Sequence, residues 1–196
     1  MFEDDALMIR LQEGDSSALQ EVVSRYEGAL VGFFIRNTRD IQLSEDLAQE
    51  TFLKVYQQAW DYLPLGKFRG WLFRIARNLL IDDVRRRTND ALVRAIRRPH
   101  DAEDDILQRI ASELKTATDQ ASQREITKLV EAGLQTLPEE QREVFTLHHY
   151  GGLGLPEVAQ IMDTPLATSK SRLRLAKEKL ADYLRSQGVE PDETSE

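Results

Sequence analysis

The sequence contains no cysteine, which excludes disulfides, thiolate metal sites and thiol nucleophiles and fits a reducing compartment. Strictly alternating apolar and polar residues are scarce, and the six prolines and ten glycines sit at the edges of periodic stretches, which argues against strands. No apolar run approaches the roughly 20 residues that a membrane-spanning helix needs. There is no glycine-rich loop to cradle phosphates. Of the three histidines, His148 and His149 are adjacent, about 100° apart around a helix, and so a poor metal pair. Asp82 and Asp83, adjacent and set among arginines, read as ion-pair partners rather than an acid and base. The expectation is therefore no catalytic residue, no metal, no cofactor and no small-molecule substrate. The opening MFEDDALMIR is acidic and lacks the basic start and apolar stretch of a signal peptide, so a cytoplasmic protein without membrane insertion is expected.

Charge is present in abundance but unevenly. The net charge of -8 argues against a chain that coats nucleic acid indiscriminately. Between Lys67 and Arg98, however, Lys67, Arg69, Arg74, Arg77, Arg85, Arg86, Arg87, Arg94, Arg97 and Arg98 meet only Asp82, Asp83 and Asp90. Between Lys170 and Arg185, six cations meet only Glu178 and Asp182. Within FRGWLFRIARNLLIDDVRRR, Trp71, Leu72, Ile75, Leu79 and Val84 recur at helical spacing, while Arg74, Asn78, Asp82 and Arg85 fall at steps of three or four on another face. That second face carries hydrogen-bonding groups suited to phosphates and bases; an ordinary solvated helix would look the same in isolation.

Helical periodicity predicts an all-α chain of two small helical domains joined by a flexible linker: 1–87, a linker over 88–123, 124–187, and an acidic tail over 188–196. A short helix over Asp5 to Gln12 is followed by Gly14-Asp15-Ser16, which stops it and caps a second helix running to Arg36, then a turn over 37–42. Ser44 is the expected cap of the next helix, ending near Leu63, with Phe52, Leu53, Val55 and Tyr56 expected in the core. Pro64-Leu65-Gly66 breaks it, and a basic helix runs from Phe68 to Arg87. In the second block, Thr136 to Glu139 resembles a capping box before a helix ending near Tyr150. A short helix over Leu155 to Met162, a turn at Asp163-Thr164-Pro165 and a basic helix over Leu166 to Leu184 follow, the layout of a helix-turn-helix.

Taken together, SEDLAQETFLKVYQQAW, FRGWLFRIARNLLIDDVRRR and LPEEQREVFTLHHYGGLGLPEVAQIMDTPLATSKSRLRLAKEKL resemble, in order and spacing, bacterial RNA polymerase sigma factors of the extracytoplasmic-function class of the sigma-70 family. The resemblance covers most of the chain and implies a sigma region 2 domain, a sigma region 4 domain, and core RNA polymerase and promoter DNA as partners. An anti-sigma factor is a further partner known in the family. It assigns Asp46, Gln49, Glu50 and Lys54 to core-polymerase binding; Trp71, Arg74, Arg77, Asn78, Asp82 and Arg85 to the minus-ten element; and Lys170, Ser171, Arg172 and Arg174 to the minus-thirty-five element. Residues 63–68 would form the pocket that takes an unstacked base. For Trp71, a place in the core competes with a place on DNA.

The sequence departs from the family at three positions. Ser169 stands where an apolar residue such as valine is usual, and a buried hydroxyl there needs a partner, with the Pro165 carbonyl as the candidate. Leu175 stands where a basic residue is common, and Gly154 where a serine usually caps. A stand-alone helix-turn-helix regulator that binds duplex operator is the alternative, since the second block alone would fit it. A sigma-like protein acting purely through protein contacts is a third reading. The acid at Asp101, Glu103, Asp104 and Asp105, and in the tail, is expected to fold back over the basic runs of the free protein.

Overall fold

Apolar residues at steps of three and four give every described element a buried stripe. The computed structural model, which describes residues 3–95 and 119–189, folds them into helices without a strand. They are α1 (Glu3–Gln12), α2 (Ser17–Thr38), α3 (Ile41–Gln57), a 3₁₀ turn (Ala59–Asp61), α4 (Phe68–Ala95), α5 (Asp119–Thr136), α6 (Glu139–His149), α7 (Leu155–Ile161) and α8 (Leu166–Ser186). The chain divides into two compact units between Ile106 and Leu107. The expected linker lies mostly, and the acidic tail largely, outside the described residues, as do the acids proposed to fold back.

In the N-terminal unit α2 packs against α1 and α3, and α3 against α4. Val22, Leu30, Phe33, Phe34, Val55, Leu72, Phe73 and Ala76 are sealed from solvent. Phe33 meets Phe34 and Phe73 edge to face, with centroids 5.3 and 5.7 Å apart, geometry that adds specificity to burial. The apolar face of α4 is wider than its sequence suggested. Leu72, Ile75 and Leu79 are buried, but so are Phe73, Ala76, Leu80 and Asp83, whereas Val84 points to solvent. Asp83 is tolerated there because Arg86 and Arg87 both pair with it, at 2.7 and 2.8 Å.

The starts of α2 and α3 differ in how they meet expectation. Within Gly14-Asp15-Ser16 the bond at the start of α2 is made by Asp15, which accepts from the Ser17 N–H at 2.9 Å, and Ser16 makes no side-chain capping bond. Helix α3 begins at Ile41, because Asp40 accepts the Leu43 N–H at 3.0 Å. Ser44 is therefore not a cap. It is buried inside the first turn and donates to the Asp40 carbonyl at 2.6 Å. Helix α3 also stops at Gln57, short of Leu63, and α4 continues past Arg87 to Ala95. Leu53 and Tyr56 are exposed rather than core, because the buried stripe of α3 runs Leu47, Ala48, Thr51, Phe52, Val55 and leaves them on the far side.

The C-terminal unit is three helices wrapped on α8, with α5, α6 and α7 each packed against it. Leu134, Val144, Leu147, Leu153, Val158 and Ala176 form its centre. Gly133 permits the closest approach: a Cβ there would lie 2.6 Å from Leu180 Cδ1 and 2.8 Å from Tyr183 Cδ1. No capping box opens α6. Its cap is Pro138, with no side-chain bond, and Thr136 instead donates to the Gly133 carbonyl at 2.8 Å, closing α5. At α7, Gly154 lacks a serine's oxygen, but the Glu157 carboxylate reaches back to the Gly154 N–H at 2.9 Å. No described helix is long and apolar enough to cross a membrane.

Candidate nucleic-acid and polymerase interface

Helix α3 carries its polar groups opposite its buried stripe. Asp46, Gln49 and Glu50 are exposed and Lys54 half-buried, at steps of three and four that put all four on one side. The amide of Gln42 donates to Asp46 at 3.2 Å on this exposed face. Leu53 and Tyr56, expected in the core, stand exposed beside this face, and Trp60 on the 3₁₀ turn is 75% exposed. Sequence reasoning missed Trp60 as a surface group. Its signal was the spacing 53, 56, 60, which repeats the helical step away from the buried stripe.

On α4, Arg74, Asn78, Asp82 and Arg85 are exposed at steps of four, four and three, while the other side of the helix is the core of the unit. Among the described residues, Arg74 and Arg85 have no carboxylate within ion-pair distance. Arg77 is only half-exposed and engaged in an interaction of its own. Trp71 is partly exposed, its ring 5.1 Å from Tyr62 and 5.9 Å from Phe68. It therefore belongs in part to both readings, packed on one face and open on the other. Of residues 63–68, Leu63, Pro64, Leu65, Gly66 and Lys67 are exposed, but Phe68 is 1% exposed and serves as the anchor of α4.

On α8, Lys170, Ser171 and Arg174 are exposed near the start of the helix, and Arg172 is turned inward. Its guanidinium pairs with Glu140 of α6 at 2.5 Å, leaving the side chain 19% exposed. Arg174 pairs with Glu178 at 2.6 Å on the same helix. Ser169 is fully buried, and its partner differs from the one expected. The Pro165 carbonyl already accepts the backbone N–H groups of Thr168 and Ser169, so the hydroxyl pairs with Thr164 Oγ1 at 2.9 Å. This bond ties the turn to the second helix. The turn itself reverses through Asp163 in the left-handed region, at φ 52°.

Of the two described histidines, His148 is half-buried and His149 is exposed. His148 Nδ1 donates to the Leu153 carbonyl at 2.8 Å, and His149 lies against Phe145 with centroids 4.4 Å apart. Burial, then the neighbouring His148 and Lys177, lower the pKa of His149 below 6.5. No metal-binding cluster occurs among the described residues.

These surfaces coincide with two family models. Sigma-70 region 2 matches residues 22–90 and Sigma-70, region 4 matches 127–180. The RNA polymerase sigma-H factor of Pseudomonas aeruginosa is 30% identical over 187 residues, covering 90% of this chain and 91% of that protein. The ECF RNA polymerase sigma-E factor of Haemophilus influenzae is 30% identical over 187 residues, covering 92% and 95%. In fold, the chain resembles the sigma factor RpoE from Bartonella quintana, solved with the anti-sigma factor NepR, with TM-score 0.66 at 21% identity over 85% of this chain and 96% of that one. It likewise resembles CnrH, solved with the cytosolic domain of CnrY, with TM-score 0.65 at 22% identity over 93% and 97%. The chain thus belongs to the sigma-70 family of RNA polymerase sigma factors, in its extracytoplasmic-function class.

Proposed function

We propose that this sigma factor, which binds core RNA polymerase and directs promoter-specific initiation, divides its work among three faces. The face of α3 with Asp46, Gln49, Glu50 and Lys54 docks on the polymerase. The α4 face with Trp71, Arg74, Arg77, Asn78, Asp82 and Arg85, together with residues 63–67, takes the opened minus-ten strand. The start of α8, with Lys170, Ser171, Arg172 and Arg174, enters the major groove of the minus-thirty-five element. The protein supplies recognition and strand capture; the polymerase does the chemistry. Its workplace is the cytoplasm, with the chromosome and the polymerase, and an anti-sigma factor of the kind solved with the Bartonella relative is an expected partner. The domains assigned to these tasks are residues 1–87 and 124–187, joined by 88–123 and followed by 188–196.

The observation that carries the reading is the two-sidedness of α4: one side is the core of the unit, and the other presents Arg74, Asn78, Asp82 and Arg85 to solvent. Arginines hold a single-stranded backbone, and a base leaving the stack can rest against an aromatic ring. A stand-alone regulator is not favoured, because the family match extends over residues 22–90 as well as the helix-turn-helix. Transcription with purified core polymerase on a randomised promoter library tests the function, which predicts new specific start sites. Asp46→Arg or Glu50→Arg should lower affinity for core polymerase while helicity persists, since reversing an exposed charge removes complementarity but no packing. No new start sites would sink the function, and unchanged affinity would sink the assignment of the α3 face.

A further inference from the structure

Two consecutive carboxylates near the start of α1 are spent on a distant part of the N-terminal unit. Asp5 is 2% exposed, and both its oxygens are used: Oδ1 accepts the hydroxyl of Tyr62, and Oδ2 accepts the backbone N–H of Gly66 at 2.7 Å. About two turns further along the same helix, the Gln12 amide donates to the carbonyls of Ala59 and Tyr62, at 2.8 and 2.9 Å. Asp4 accepts the Tyr26 hydroxyl at 2.6 Å, and Arg69 lies 5.5 Å from the centre of the Tyr26 ring. Phe68 stands between the two tyrosines, with centroids 5.5 Å from Tyr26 and 5.7 Å from Tyr62. Burial, and then the bond to Asp5, push the Tyr62 hydroxyl well above the ordinary tyrosine range, so it stays protonated and remains a donor.

The consequence is an arch pinned at both feet. Tyr62 is held through its ring, its hydroxyl and its carbonyl. Gly66 is held through its N–H in the left-handed region, at φ 70°, where a side chain would be strained. Between the feet stand Leu63, Pro64 and Leu65, with the two leucines 68% and 67% exposed, and the Tyr62 ring at one foot lies 5.1 Å from that of Trp71. Proline removes backbone freedom at the middle. Holding two leucines in water on a fixed arch offers nothing to the core. It does suit a pocket that must meet an unstacked base in one geometry, because preorganisation lowers the cost of binding.

We propose that Asp5 is a positioning residue for base reading: from α1, without touching DNA, it fixes the arch Leu63–Leu65 and thereby sets which base is preferred at the unstacked minus-ten position. Gln12 assists by holding the carbonyl side of the same arch. The inference rests on the reading of residues 63–67 as part of the minus-ten surface, and it adds a residue outside that surface.

Asp5→Asn keeps the shape but sets an amide donor against one of two donors, whereas Tyr62→Phe removes one donor and leaves the Gly66 tie. The full-length protein is assembled with core polymerase and used to select from templates randomised through the minus-ten element, with the minus-thirty-five element fixed. Each variant should relax the base preference at one position of the opened strand by roughly tenfold, the ratio carried by about 1.4 kcal/mol. Preference at the remaining positions, affinity for core polymerase and binding of the upstream duplex should be unchanged. The double variant should lose no more than the worse single one, because both act through one network. Retained preference in both variants, or a uniform loss at every position together with weaker polymerase binding, would overturn the proposal. A wild-type holoenzyme that initiates but shows no minus-ten preference would overturn the reading of the surface itself, a failure distinguishable from the first.

Discussion

The basic faces of α4 and α8 handle their arginines in opposite ways. On α4 the arginines Arg74 and Arg85 share the exposed face with Asp82 yet stand outside ion-pair distance of any carboxylate among the described residues, and the buried acid of that helix, Asp83, is occupied with Arg86 and Arg87. On α8 the arginines are already paired: Arg172 with Glu140, Arg174 with Glu178 and Arg185 with Asp182. A surface with open cations can take a phosphate at once. One with paired cations must first exchange a carboxylate for a phosphate, which lowers affinity but penalises poorly fitting sites as well. The contrast fits the two tasks. A strand captured after opening is already positioned by the polymerase, whereas duplex recognition upstream has to reject many wrong sequences.

The largest expected effect separates the units by stability. Phe68→Ala removes the ring that Tyr26, Tyr62 and Trp71 surround, and a substitution of that kind in a packed core costs about 3–5 kcal/mol. Both tryptophans, Trp60 and Trp71, lie in the N-terminal unit, so their fluorescence reports that unit alone, whereas far-UV circular dichroism reports both. The fluorescence transition should fall by well over 10 °C while part of the ellipticity still melts at the original temperature. A single transition, shifted alike in both signals, would show that the units unfold as one.

Next in size is the division of DNA binding. Arg74→Ala or Asn78→Ala should impair strand opening, read by permanganate reactivity near the start site. Lys170→Ala or Arg174→Ala should weaken duplex binding upstream by roughly 1–3 kcal/mol where a base contact is lost. Identical phenotypes from both groups would erase the contrast between the faces. A smaller effect sharpens it. Glu140→Gln leaves Arg172 without its carboxylate, so upstream duplex binding should tighten by a fewfold while thermal stability changes by no more than about 1 kcal/mol, the usual scale for a partly exposed pair. Unchanged or weaker binding would mean that the pair orients Arg172 rather than restrains it.

How much of this was legible in the sequence follows from the distances involved. Helix periodicity is local, and it located α1 to α4 and α6 to α8, with shifted ends, and gave the two basic faces. Caps were less legible, because the choice between Ser16 and Asp15, or between Ser44 and Asp40, turns on which side chain reaches an N–H two or three residues on, and both pairs contain good capping residues. Leu53 and Tyr56 were misplaced because apolar character alone does not say which side of an amphipathic helix is covered. The partners of Asp5 lie 57 and 61 residues away, and Glu140 lies 32 residues from Arg172, separations at which nothing in local pattern pairs one residue with another. Ser169 reads in sequence as a buried hydroxyl in need of a partner, but its choice of Thr164 depends on the Pro165 carbonyl being occupied by backbone N–H groups.

The smallest expected effect sets the units apart by pH. In the C-terminal unit, partial burial against Phe145 and then the charges of His148 and Lys177 disfavour the protonated ring of His149, an effect that solvent weakens because the residue stays largely exposed. The unfolded chain then binds the proton more readily than the folded one, so stability is fully present above about 6.5 and declines as pH falls from there towards the lower folded value. In the N-terminal unit the sign is the same but the window is not. Bonds from Ser17, and then from Arg10, hold the Asp15 carboxylate down to about 2 from its ordinary 3.8, so the stability from this tie declines only as pH drops through that more acidic interval. Between pH 7 and 5, therefore, the part of the ellipticity transition not shared with tryptophan fluorescence should soften, and His149→Gln, which carries no titrating ring, should flatten that slope. A pH dependence that persists unchanged in His149→Gln would assign the titration to another group, and the two units would no longer be distinguished by it.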